Sequence, residues 1–191
     1  MGWRSSLTVL CLALALTGCA NPSIWASDQD IATASYREPG PTRITLLTML
    51  RSETGTGAHS ALVVDDGTQR LLFDPAGGWF HPAAPERNDV LFGMNPTLYG
   101  FYLQWHARET HHVVAQEVLL PPEQARFVAQ RIQEIGPVPK ANCSRSISEL
   151  LSELPQFSGL PVTWFPEKTM ENLARYDGIR TYEIWDDDDE G

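Results

Sequence analysis

The spacing of apolar residues along the 191-residue chain changes several times, and each change marks an element. Residues 43–50 (RITLLTML) form a near-continuous apolar run of strand length, and residues 111–120 (HHVVAQEVLL) form a second. Between them, residues 58–74 (AHSALVVDDGTQRLLFD) hold two β-rich runs around Asp66-Gly67, a dipeptide that favours a two-residue type I′ hairpin. The period then turns helical. Pro121-Pro122-Glu123 opens a helix that reaches Ile135 through Ala125, Val128 and Ile132, with proline in its first turn. Beyond a Pro/Gly loop, Ile147, Leu150, Leu151 and Leu154 recur at helical spacing, which predicts a helix beginning near Cys143 with Asn142 as its N-cap. A short helix over 166–176 and a last strand over 180–185 complete an α+β pattern, an antiparallel sheet packed on helices.

Composition narrows the function classes. Hydrophobic residues make up 42% and charged residues 20%, which suits one globular domain, placed at 43–185. With 14 Lys+Arg against 24 Asp+Glu the net charge is −10, so nucleic acid is not expected as a partner. Adsorption to anionic lipid through a polybasic patch is excluded on the same ground. No phosphate-binding glycine motif follows Gly77-Gly78, and no cofactor is expected. His106, His111 and His112 lack metal-ligand spacing, and adjacent histidines on a strand face opposite ways, so no metal is expected either. His81, in a Trp79-Phe80-His81-Pro82 loop, reads as a surface or substrate-rim residue. The aromatic run Tyr99, Phe101, Tyr102 and Trp105 reads as core or as a docking patch.

The first residues read as an address. Arg4 precedes a ten-residue apolar run at 7–16, too short to cross a bilayer as a helix. Leu16-Thr17-Gly18-Cys19 follows, and resembles a bacterial lipobox. The resemblance implies a signal peptide over 1–18, lipidation of Cys19 and membrane attachment through that lipid. Ala20 and Asn21 after it imply the outer membrane, facing the periplasm. Each acyl methylene buried in the bilayer is worth about 0.8 kcal/mol, so such an anchor holds without a transmembrane helix. Residues 19–42, polar and without period, are expected to be a tether, and 186–191 a solvated acidic tail.

Export would change the cysteine arithmetic. Cys11 would leave with the leader and Cys19 would carry lipid, so Cys143 would remain as a lone thiol in an oxidising compartment, either buried or used. In the first turn of a helix it would feel the positive end of the backbone dipole, which favours thiolate. Its base is found through the hairpin. A two-residue turn at 66–67 sets Val63 opposite Arg70, Ala61 opposite Leu72 and His59 opposite Asp74. Opposed residues share a face with Cβ atoms about 4.5–5.5 Å apart, close enough for Asp74 to hold the His59 ring.

A histidine opening one strand, a polar residue on the next and a later Cys143-Ser144 at a helix start resemble the permuted branch of the NlpC-like papain-fold superfamily. That branch includes lecithin:retinol acyltransferase-like proteins and bacterial lipoproteins. The resemblance covers roughly residues 43–155 and implies a permuted papain-like domain with Cys143 as nucleophile, His59 as base and Asp74 as orienting residue. Asn142 and Arg145 depart from the aspartate and glycine usual there in peptidases. The resemblance implies a thiol hydrolase of cell-wall peptide amides, or alternatively an acyl-lipid hydrolase or acyltransferase. A non-catalytic envelope binding lipoprotein is the alternative outside enzymology.

Overall fold

The computed structural model describes residues 24–186. The expected signal peptide, Cys19 and all but Asp186 of the acidic tail lie outside them.

Every strand is antiparallel to its neighbours, yet the central strands read as unbroken apolar runs because both faces of the sheet are covered. In chain order the sheet comprises β1 (Arg43–Arg51), β2 (Gly57–Asp65), β3 (Arg70–Phe73), β4 (Glu86–Arg87), β5 (Val90–Phe92), β6 (His111–Leu119) and β7 (Arg180–Ile184). Across the sheet the order is β4-β5-β3-β2-β1-β6-β7. The helices are α1 (Asp28–Ala34), α2 (Pro96–His106), α3 (Pro122–Ile135), α4 (Cys143–Ser152) and α5 (Pro166–Leu173). The α+β class, with an antiparallel sheet and packed helices, is what the apolar pattern predicts.

Strand alternation divides the core in two. Leu46, Leu62, Val64, Leu71 and Phe73 face α3 and α4 through Val128, Ile132, Ile147 and Leu151. Leu47, Ala61, Val63, Leu72 and Leu91 face the other way, onto Leu98 and Tyr102 of α2. Asn95 caps α2, accepting from the Thr97 and Leu98 N–H groups, with Pro96 in the first turn.

The β2–β3 connection corrects the expected two-residue turn. Asp65 pairs with Arg70 and Val63 with Leu72, leaving residues 66–69 as a four-residue loop. The cause is Asp66, whose Oδ1 accepts from the N–H groups of Thr68 and Gln69 at 2.6 and 2.8 Å. That side-chain turn replaces the tight backbone turn. The register therefore moves by two residues, not one. Because side chains alternate with period two, His59 and Asp74 keep their common face and become diagonal neighbours.

The segment before β1 is a second correction. From residue 24 onward the chain is folded against the domain, whereas a tether was expected over 19–42. Ser27 and Asp30 form a capping box on α1. Trp25 bridges Arg87 and lies under its guanidinium at 4.7 Å, while Arg87 Nε donates to Ala26 O and Nη2 pairs with Asp28. Ile31 packs on the core.

Candidate active site

β3 pairs with β2 only as far as Leu62↔Phe73, so the first residues of β2 have no β3 neighbour. α4 packs against β2, and the Ser60 N–H reaches the Cys143 sulfur. His59, one residue earlier, extends from the opposite face of the sheet and meets the same thiol at the strand's open end.

A continuous hydrogen-bonded chain results. His59 Nε2 lies 2.7 Å from Asp74 Oδ1, which leaves Nδ1 for the Cys143 thiol. The Tyr102 hydroxyl donates to the same Asp74 oxygen at 2.7 Å. Asp74 and Tyr102 are buried, and His59 is half-buried. Gly77 fits closely over the Asp74 carboxylate, so a Cβ at that position would collide with it. The Gly77 N–H also donates to Asp74 O at 2.9 Å. Asp89 braces both arms of the site. Its carboxylate accepts from the N–H groups of Ala76, after β3, and Val138, in the loop before α4, and its carbonyl accepts from Asp74 N–H.

Electrostatics favour a charged pair. Burial raises the Cys143 thiol, but the His59 hydrogen bond and charge, with the N–H groups of Ser60 and Ser144, bring it below its ordinary value. Burial pushes His59 down, but Asp74 and the thiol outweigh it and raise it to about 10. Burial opposes ionisation of Asp74 as well, yet His59 and Tyr102 hold it below the usual carboxylate range. Both shifts move the pair toward thiolate and imidazolium, the activated form of a cysteine nucleophile.

Asn142 stands at the N-cap position but does not cap. Its side-chain amide donates to Pro139 O and Lys140 O, and its Oδ1 accepts from the Trp164 indole at 3.3 Å. This follows from Ala141, whose φ of 63° turns the loop sharply just before the nucleophile. With Asn142 so engaged, the Cys143 N–H, first of the helix, has no acceptor among the described residues. Ser144 bonds Thr169 at 2.7 Å with both residues buried, which fastens α4 to α5.

The three residues expected to form the site thus come together, and the sequence reading missed two others. Tyr102 was read only within an aromatic run of core or docking residues. His106, one turn later, is half-buried, and its Nδ1 lies 2.8 Å from Tyr102 O, as its donor. Its ring stacks on His59 at 6.0 Å, and burial holds it below the ordinary histidine value. The i, i+4 spacing of Tyr102 and His106 was the available signal. The other histidines go elsewhere: His81 stacks between Trp79 and Phe101, His111 bonds Thr110, and His112 stacks on Trp185.

The chain matches no protein-family model, and searches of curated proteins and of solved structures return no match.

Proposed function

We propose that the chain is a thiol acyl-transfer enzyme of the bacterial envelope, built on a permuted papain-like domain and anchored through Cys19. The observation that carries this reading is the unbroken Cys143–His59–Asp74–Tyr102 chain with its charged pair.

The Cys143 thiolate attacks a carbonyl carbon, forming a C–S bond. The oxyanion that develops lies within reach of the Cys143 N–H at the positive end of α4. As the tetrahedral intermediate collapses, the C–N or C–O bond breaks and the leaving group takes the His59 proton, giving a thioester. Water then yields a proton to His59 while its oxygen attacks the thioester. The C–S bond breaks and the thiolate is restored. Asp74 orients the imidazole throughout, and Tyr102 holds Asp74.

Two substrates suit this chemistry. A cell-wall peptide amide is favoured by the expected location and by the resemblance to NlpC-like peptidases, which is an argument by analogy. An acyl lipid is favoured by the exposed aromatic residues beside the cleft. The test measures wild type and Cys143→Ala on peptidoglycan fragments and on acyl esters, with intact mass recorded during turnover. The expected result is activity on one panel, a thioester mass on Cys143 and a dead variant. The reading fails, in favour of a binding lipoprotein, if both forms are equally inert and the wild-type thiol alkylates only in denaturant.

A further inference from the structure

Exposed large apolar residues are concentrated around the cleft. On its α2 side, Phe101 and Trp105 are exposed one helical turn apart, and Trp105 directly precedes His106, which stacks on His59. Phe80 is 74% exposed and shares with Ile24 a small cavity that has Asp74 in its wall. On the α4 side, Trp164 bonds Asn142, the residue before the nucleophile, and Phe165 is 61% exposed. Phe165 ends just before Pro166 and Glu167, which press on Gly57 at the start of β2, where a Cβ would sit 2.6 Å from Pro166 Cβ. These two aromatic clusters therefore lie to either side of the Cys143–His59 pair.

Cations stand at the rim of a chain whose net charge is −10, with Glu109 and Glu167 beside them. Arg108 stacks on Trp105 at 5.2 Å and Arg145 on Trp164 at 5.0 Å. Neither guanidinium forms an ion pair among the described residues, and neither does Lys140, just before the nucleophile's helix. Arg37, Arg51, Arg126 and Arg175 also form no ion pair among the described residues, so what sets Arg108 and Arg145 apart is that each lies over an exposed indole. Aromatic rings interleaved with free cations are the composition of a surface that enters the boundary between anionic headgroups and acyl chains.

The start of the described chain points to the same occupant. Ile24 and Trp25, both exposed, belong to this rim, and only five residue steps separate Ile24 from Cys19. Fully extended, those steps reach about 17 Å. A lipid on Cys19 would hold the rim next to the bilayer, whereas the longer tether expected over 19–42 would have left the domain free to tumble.

We propose that the aromatic rim around the Cys143–His59 pair is a membrane-docking face, and that the chain works with this face turned toward the bilayer. The occupant is a lipid surface carrying anionic headgroups. Three cations do not make a polybasic patch, so the aromatic rim carries the binding and the cations orient it. The inference rests on the proposed function for the position of the site and for the lipid on Cys19.

The experiment reconstitutes the full mature chain in vesicles of phosphatidylethanolamine and phosphatidylglycerol, with and without brominated acyl chains, and records tryptophan quenching. Trp105 should supply much of the quenched emission, so Trp105→Phe, a substitution that keeps the packing, should lower the quenchable fraction. In parallel, Phe80→Ser/Trp105→Ser/Phe165→Ser should weaken partitioning of unacylated protein by roughly tenfold or more, while Phe127→Ser leaves it unaltered. Iodoacetamide labelling of Cys143 in the same samples reports the thiol separately, so loss of docking with a reactive thiol overturns this inference alone. A quenchable fraction that Trp105→Phe leaves unchanged also overturns it. Self-association in free solution that the triple variant abolishes would assign the rim to a second copy of the chain and overturn the membrane reading.

Discussion

The β2–β3 hairpin carries a buried set of charges at each end, and the two sets behave differently. At the turn end, Arg70 grips Asp65 through two bonds, of 2.7 and 3.1 Å, and reaches Glu38 at 3.1 Å. Arg43 joins the same Asp65 at 2.9 Å and Glu117 at 3.4 Å. At the open end, Asp74 holds His59, and His59 holds Cys143. Both clusters are shielded from water, so burial of charge does not by itself distinguish a catalytic centre. The proton does. A guanidinium keeps its proton at any working pH and can only fix geometry, whereas imidazole and thiol exchange theirs near neutrality. The open end also lacks a β3 partner strand beside His59, and Cys143 there keeps 7% of its surface exposed.

The sharpest way to break this contrast is to disable the orienting acid while keeping its shape. Asp74→Asn should lower kcat on the responsive substrate by about 10⁴-fold, because the amide can no longer support the imidazolium. Its Cys143 alkylation profile should also move to higher pH. Activity within tenfold of wild type would remove Asp74 from the mechanism.

The turn end should answer in stability instead. Arg70→Met leaves Asp65 buried and short of its main partner, at a cost of about 3–5 kcal/mol, read as a lower denaturant midpoint. The remaining folded protein should alkylate at Cys143 at the wild-type rate. A slowed thiol with unchanged stability would mean that the two ends are coupled.

Tyr102→Phe lies between these cases, since it removes one donor from a buried carboxylate that keeps His59. A loss of about 1–3 kcal/mol of stability is expected, with kcat reduced far less than by Asp74→Asn. A kcat loss as deep as that of Asp74→Asn would show that Tyr102 positions the acid by itself.

The hairpin also shows how much the sequence could reveal. The turn type was misjudged, because whether Asp66 accepts bonds from its own loop depends on a local side-chain geometry that Asp-Gly statistics average away. The site survived that error because a register shift of two preserves the face. Cys143 at the start of α4 was legible from the period of Ile147, Leu150 and Leu151. Tyr102 was not, because a tyrosine in an aromatic run looks the same whether its hydroxyl meets solvent or a carboxylate 28 residues away. The folding of residues 24–42 was equally hidden. Trp25 and Arg87 lie far apart in the chain, and nothing local to either marks their pairing.

The smallest effect separates the two ends by pH. Unfolded histidine releases its proton at about 6.5 and unfolded cysteine at about 8.5. Above about 8.5 the unfolded pair therefore holds no proton. Folded His59 keeps its own up to about 10. The folded state then binds more protons than the unfolded one, so stability from the raised histidine is lost as pH climbs toward that value. A guanidinium stays protonated in both states over that range, so the Arg70 end adds no slope of its own. The wild-type unfolding free energy should therefore fall between about 8.5 and about 10, and Arg70→Met should show the same fall from a lower starting point. A wild-type free energy that stays level over that interval would mean that folded His59 releases its proton before the unfolded thiol does.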